Sequence, residues 1–111
     1  MFRGAKGEKS MGDAINNVGI DIPIEAQLRY LERRKKDVET LRSALPLGSF
    51  DEFKRIGHQL KGNAASFGYN DLEKIAIQME GAGERRDREE AHRQLEAFEK
   101  WLNETQRQHQ G

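Results

Sequence analysis

The stretch that decides the fold is "SFDEFKRIGHQLKGNAASFGYNDLE", which runs from Ser49 to Glu73. Its apolar residues keep helical spacing as far as Gly68, a good helix stop, and a second helical pattern begins directly afterwards. Ser49 and Glu52 form the S-x-x-E pattern of a capping box, and "NDLE" repeats the device with Asn70 as the N-cap. The short connection between these two helices predicts an antiparallel pair.

Two further helices flank this pair. The first has Asp21 as its candidate N-cap and Pro23 in its early turn, and it ends around Leu45-Pro46 and Gly48. Its apolar residues recur at near-heptad spacing: Ile24, Leu28, Leu31, Val38, Leu41 and Leu45. The last helix begins at Asp87 in "DREE" and has an apolar face of Ala91, Leu95, Phe98 and Leu102.

The four patterns together predict an all-α fold, an antiparallel up-and-down four-helix bundle over residues 20–109. Gly81 and Gly83 weaken the later turns of the third helix, so its end is the boundary that the pattern defines least. Residues 1–19 are interpreted as a flexible tail or linker remnant. A short extra helix near Met11 to Asn17 is also considered.

Composition narrows the class of protein. The chain has 111 residues, no cysteine, and 19 basic against 19 acidic side chains, which gives a formal net charge of zero. We therefore expect one domain without thiolate metal sites, no nucleic-acid partner and a reducing compartment. No apolar run approaches the roughly 20 residues that span a bilayer, so a cytoplasmic protein without membrane contact is expected.

His58 is the candidate reactive residue, because it lies opposite the core-facing side of its helix. At about 100° per residue, the core side of that helix comprises Phe53, Ile56, Leu60 and Phe67. An imidazole is a competent nucleophile at neutral pH, and Lys61 one turn later can neutralise phosphoryl oxygens. Gly62 costs the helix about 1 kcal/mol, yet it clears space beside the ring for an approaching partner.

The segment "HQLKGNAASFGYNDLEKIAIQME" resembles the histidine-containing phosphotransfer (HPt) domain. The positions that match the family pattern are His58, Leu60, Lys61, Gly62, Ala64, Gly68, Leu72 and Met79-Glu80. The resemblance implies a phosphorelay carrier. Its histidine would take a phosphoryl group on Nε2 from a receiver-domain aspartyl phosphate and pass it to another receiver aspartate.

Residue roles follow from the same resemblance. His58 would be the phosphoacceptor, Lys61 the phosphate-facing cation, and Glu80 the group that orients the imidazole from the next helix. Candidate partner contacts are Lys54, Arg55, Gly62, Ala65 and Tyr69. We expect a monomer that carries no cofactor of its own, a receiver domain that supplies Mg²⁺, and a hybrid sensor histidine kinase in the same chain or in trans.

Three alternatives to the phosphocarrier remain open. In the first, the domain is a helical adaptor that docks a receiver without being phosphorylated. In the second, it is the phosphoacceptor domain of a chemotaxis-type kinase. An autonomous kinase is disfavoured, because the sequence has no glycine-rich nucleotide loop. A metal site using His58, His92 and His109 is the third alternative, and their wide separation in sequence argues against it.

Overall fold

The computed structural model describes residues 22–110, which form four α-helices. These are α1 (Ile24–Leu47), α2 (Phe50–Ser66), α3 (Asn70–Arg85) and α4 (Arg88–Gln110). Each connection is too short for anything but a reversal of direction, and α1 and α3 both pack against α2 and α4. The predicted all-α four-helix bundle is confirmed. The predicted tail, the short helix near Met11 to Asn17 and the cap at Asp21 lie outside the described residues.

One apolar core runs between the helices, and each helix contributes a single face to it. Its largest fully buried side chains are Leu31, Leu41, Phe53, Ile56, Leu60, Leu72, Met79 and Phe98. Ile24 and Leu28, the first two residues of the near-heptad pattern, do not belong to this core, since each is 46% exposed. Tyr30 contacts Asn63, three residues before α2 ends, so Ile24, six residues before Tyr30 in the antiparallel α1, lies beyond the end of that helix.

Helix α1 ends one residue after a proline, and a glycine closes it. Helix α1 continues through Pro46 to Leu47, one residue beyond the predicted break, and Gly48 closes it in the left-handed conformation with φ of 69°. The amide of Ser49 bonds back to the carbonyl of Ala44 at 3.0 Å, as in a Schellman motif. Pro23 is the N-cap residue and not part of the first turn, which is a second small correction.

The predicted capping boxes are only partly present. Ser49 is the N-cap of α2, but its side chain makes no cap hydrogen bond. Asn70 is the first residue of α3 and not its cap, which is Tyr69. Asp87 does cap α4, because its Oδ1 accepts a hydrogen bond from the amide of Glu90 at 3.1 Å. The S-x-x-E pattern thus predicted where the helices start more reliably than it predicted their cap hydrogen bonds.

Helices α2 and α3 approach each other closely at two glycines. A Cβ added to Gly57 would lie 2.6 Å from the backbone nitrogen of Glu80, and one added to Gly83 would lie 2.5 Å from that of Lys54. Real Cβ atoms do not come so close to backbone, so both positions require glycine. Gly83, which the sequence suggested would weaken α3, instead allows α3 to run to Arg85 in close contact with α2.

Candidate functional site

His58 lies in the middle of α2 and points away from the core. Its neighbours Ile56, Gly57 and Leu60 are buried, whereas the His58 side chain is 70% exposed. Exposure of this kind in the middle of a long, well-packed helix combines accessibility with a rigid backbone. The imidazole is therefore positioned for an external reactant.

Glu80 comes from α3 and connects His58 to Lys61. Its Oε2 atom lies 3.0 Å from His58 Nδ1, and its Oε1 atom lies 2.9 Å from Lys61 Nζ. The Glu80 side chain is only 16% exposed, so the carboxylate is held beneath the two groups that it contacts. Gly57 makes this possible, because a side chain there would collide with the Glu80 backbone.

The charge on Glu80 determines which imidazole nitrogen carries the proton. The hydrogen bond from Lys61, followed by the one from His58, lowers the pKa of the Glu80 carboxyl below its ordinary value. The group is then a carboxylate at neutral pH and can only accept hydrogen bonds. His58 Nδ1–H must donate, which leaves the lone pair of a neutral ring on Nε2. This arrangement suits nucleophilic attack by Nε2.

A shallow groove runs along α2 beside the histidine. The residues that line it are Asp51, Lys54, Arg55, His58, Gln59 and Glu80. Lys54 and Arg55, two of the predicted contact residues, are therefore brought to the histidine. Sequence reasoning missed Asp51 and Gln59. Asp51 precedes His58 by seven residues, or two helical turns, and the same wheel that placed Lys54 would have placed it.

Comparison with known proteins supports the sequence resemblance. A family model described as Hpt domain matches residues 28–108. The chain belongs to the Hpt domain family. Searches of curated proteins and of solved structures returned no match. As an Hpt domain, the chain has a phosphotransfer role in two-component signalling, and response-regulator receiver domains are its class of partner.

The remaining predicted contact residues of the Hpt domain do not line the groove. Gly62 and Ala65 are exposed on α2 beyond His58, and no atom lies within 4 Å of the position that a Gly62 Cβ would occupy. Tyr69 is half-buried and packs against Tyr30 and Trp101, with ring centroids 5.6 and 5.1 Å apart. Its aromatic contacts account for Tyr69 as part of the bundle's packing.

The structure does not assemble a metal site from the histidines. Within residues 22–110, no three His, Asp or Glu side chains are arranged to hold a metal ion. His92 pairs instead with Glu96 at 3.6 Å along α4. None of the four helices is long and apolar enough to cross a membrane.

Proposed function

We propose that this Hpt domain carries phosphoryl groups between receiver domains on Nε2 of His58. The observation that supports the proposal is the arrangement of an exposed imidazole whose Nδ1 lies 3.0 Å from the Glu80 carboxylate. A hydrogen bond at Nδ1 selects the tautomer with a free Nε2 and stabilises the positive charge that develops on the ring during attack.

In the proposed step, the Nε2 lone pair attacks the phosphorus of a receiver aspartyl phosphate. The N–P bond forms while the P–O bond to the aspartate breaks, and the aspartate leaves as a carboxylate. The Nδ1 proton stays in its hydrogen bond to Glu80. The reverse sequence, with the carboxylate of a second receiver as the nucleophile, returns the domain to its starting state.

Lys61 supports the transfer electrostatically in this proposal. Its ammonium is one turn from His58 and 40% exposed, so it can turn from Glu80 toward phosphoryl oxygens without entering the core. The Mg²⁺ that neutralises the rest of the phosphoryl charge would belong to the acidic pocket of the receiver. The Hpt domain then contributes a nucleophile, one cation and one orienting carboxylate.

Labelling with a phosphorylated receiver tests the proposal. Radiolabelled phosphate should pass from the receiver to the wild-type Hpt domain and then to unphosphorylated receiver added in excess. His58→Gln should remain unlabelled, while His92→Gln, which changes an exposed histidine on α4, should label like wild type. Equal labelling of His58→Gln and wild type would contradict the assignment. Binding of the receiver without any labelling would favour the adaptor instead.

A further inference from the structure

The neutral Hpt domain is electrically divided between its two pairs of helices. Helices α1 and α2 together carry nine Lys and Arg side chains against six Asp and Glu, a formal charge of +3. Helices α3 and α4 carry six basic against nine acidic side chains, a formal charge of −3. A charged partner therefore experiences a positive electrostatic field at the α1–α2 side of the domain and a negative field at the α3–α4 side.

Two exposed arginines concentrate the positive charge on α1. Arg29 and Arg33 lie one turn apart and border a hollow that is also lined by Tyr30 and Asn63. Within residues 22–110, neither arginine has an acidic partner within ion-pair distance, whereas Arg34 on the same hollow is paired with Asp37 at 2.8 Å. Both residues are exposed, so their charge is not neutralised by the part of the chain that the structure describes.

This pair of arginines lies on the flank of the bundle where α1 contacts the C-terminal turns of α2. The Tyr30 hydroxyl donates to Asn63 Oδ1 at 2.6 Å, and this hydrogen bond holds α1 against the turn that follows His58. Asn63 is five residues after His58, which is about 7.5 Å along the helix axis and roughly 140° around it, on the side that faces α1. Gly62 leaves open space on the surface between them. A receiver domain some 30 Å across would cover the histidine and the arginines together.

We propose that Arg29 and Arg33 dock an acidic surface of the receiver domain and so set its orientation over His58. This inference rests on the proposed function. Opposite charge draws the receiver toward the α1 side, and the acidic α3–α4 half repels the same surface, so one orientation is favoured during encounter. The effect belongs to the association step, because neither arginine lines the groove around the imidazole.

The test separates encounter from chemistry by kinetics. The probe is the receiver that labels the wild-type domain fastest in the experiment above. Rapid-quench measurements give the second-order rate constant at low protein concentration and the first-order rate constant at saturation, over a series of salt concentrations. The test variant is Arg29→Glu/Arg33→Glu. Its matched control is Lys100→Glu/Arg107→Glu, which changes net charge equally at exposed positions of α4.

The Arg29→Glu/Arg33→Glu variant should lose about tenfold or more in the second-order rate constant at low salt, with an unchanged first-order rate constant. Its dependence on salt should be weaker than that of wild type, and the α4 control should lose much less. Replacement of acidic residues by lysine on the receiver surface should restore the rate. Equal losses in both variants, or none in either, would overturn the proposal while wild-type labelling still supported the carrier function.

Discussion

Replacement of Gly57 by alanine should loosen the contact between α2 and α3 on which the site depends. The added Cβ would lie 2.6 Å from the Glu80 nitrogen, 2.9 Å from its Cα and 3.0 Å from the carbonyl oxygen of Ala76. The shortest of these is about 0.8 Å inside the 3.4 Å at which ordinary contact begins. All three atoms belong to the backbone of α3, so no change of rotamer can relieve the overlap.

The expected loss of stability is the difference between two opposing effects. Overpacking against backbone costs about 1–3 kcal/mol, and the exchange of glycine for alanine within a helix returns about 1 kcal/mol. We expect Gly57→Ala to lower the free energy of unfolding by about 1–2 kcal/mol, since this overlap lies at the severe end. Gly62→Ala is the matched control on the same helix. Its Cβ would meet nothing within 4 Å, so the variant should gain about 0.5–1 kcal/mol.

Thermal and urea unfolding, followed by circular dichroism, measure both variants. A change of 1 kcal/mol moves the Tm of a domain of this size by about 4–8 °C, so both changes are measurable. The Tm of Gly57→Ala should be lower than that of wild type, and the Tm of Gly62→Ala should be higher. Gly57→Ala should also slow phosphotransfer under conditions where it is fully folded, because the Cβ displaces the backbone that carries Glu80. A Gly57→Ala variant as stable as Gly62→Ala would refute the reasoning about helix separation.

Four further predictions follow from the site and its surroundings. Glu80→Ala should slow labelling about tenfold through loss of a charge-assisted hydrogen bond of about 1.5 kcal/mol, and Glu80→Gln should recover only part of the rate, because its amide carries no charge and can donate as well as accept; wild-type labelling by Glu80→Ala would argue against the orienting role. Lys61→Ala should slow transfer or shorten the phosphohistidine lifetime while Tm stays nearly constant, since exposed ion pairs contribute only about 0–1 kcal/mol; unchanged kinetics would remove its electrostatic role. Gly62→Trp should weaken receiver binding, measured by calorimetry, without loss of stability, and lower stability would indicate packing instead. Burial raises the pKa of Tyr30 to about 12, so the folded state retains a proton that the unfolded chain loses near pH 10, and stability should fall as pH rises from about 10 to 12; in Tyr30→Phe, urea midpoints should lose that part of the decline.

The sequence alone was sufficient for the fold class and for the outward position of His58. Both depend on periodicity within a single helix, which records which side of the helix faces the core. The pattern placed Phe53, Ile56 and Leu60 inside and His58 outside, and the structure agrees. Helix starts were also found locally, although only Asp87 makes the expected cap hydrogen bond, because short polar side chains have several competing partners at a helix end.

Tertiary structure decided what depends on the distance between helices. Ile24 and Leu28 fit the apolar stripe, but whether such residues are buried depends on which helices lie beside them. The closeness of α2 and α3 at Gly57 and Gly83 is likewise invisible in either helix alone. Because the sequence does not give the distance between two helices, a glycine within a helical pattern indicates only a lower helix propensity.

The candidate site, too, was predicted in part from the sequence and decided in part by the tertiary structure. The resemblance suggested that Glu80 reaches the imidazole, but the chain itself does not indicate that one carboxylate contacts both His58 Nδ1 and Lys61 Nζ. That contact joins residues 22 positions apart and requires the helix separation that Gly57 permits. The sequence determined the candidate phosphoacceptor, His58, and the side of α2 on which it lies. The packing of α3 against α2 decided which carboxylate lies beneath it and which ring nitrogen is left free, because these depend on distances between helices that no local pattern encodes.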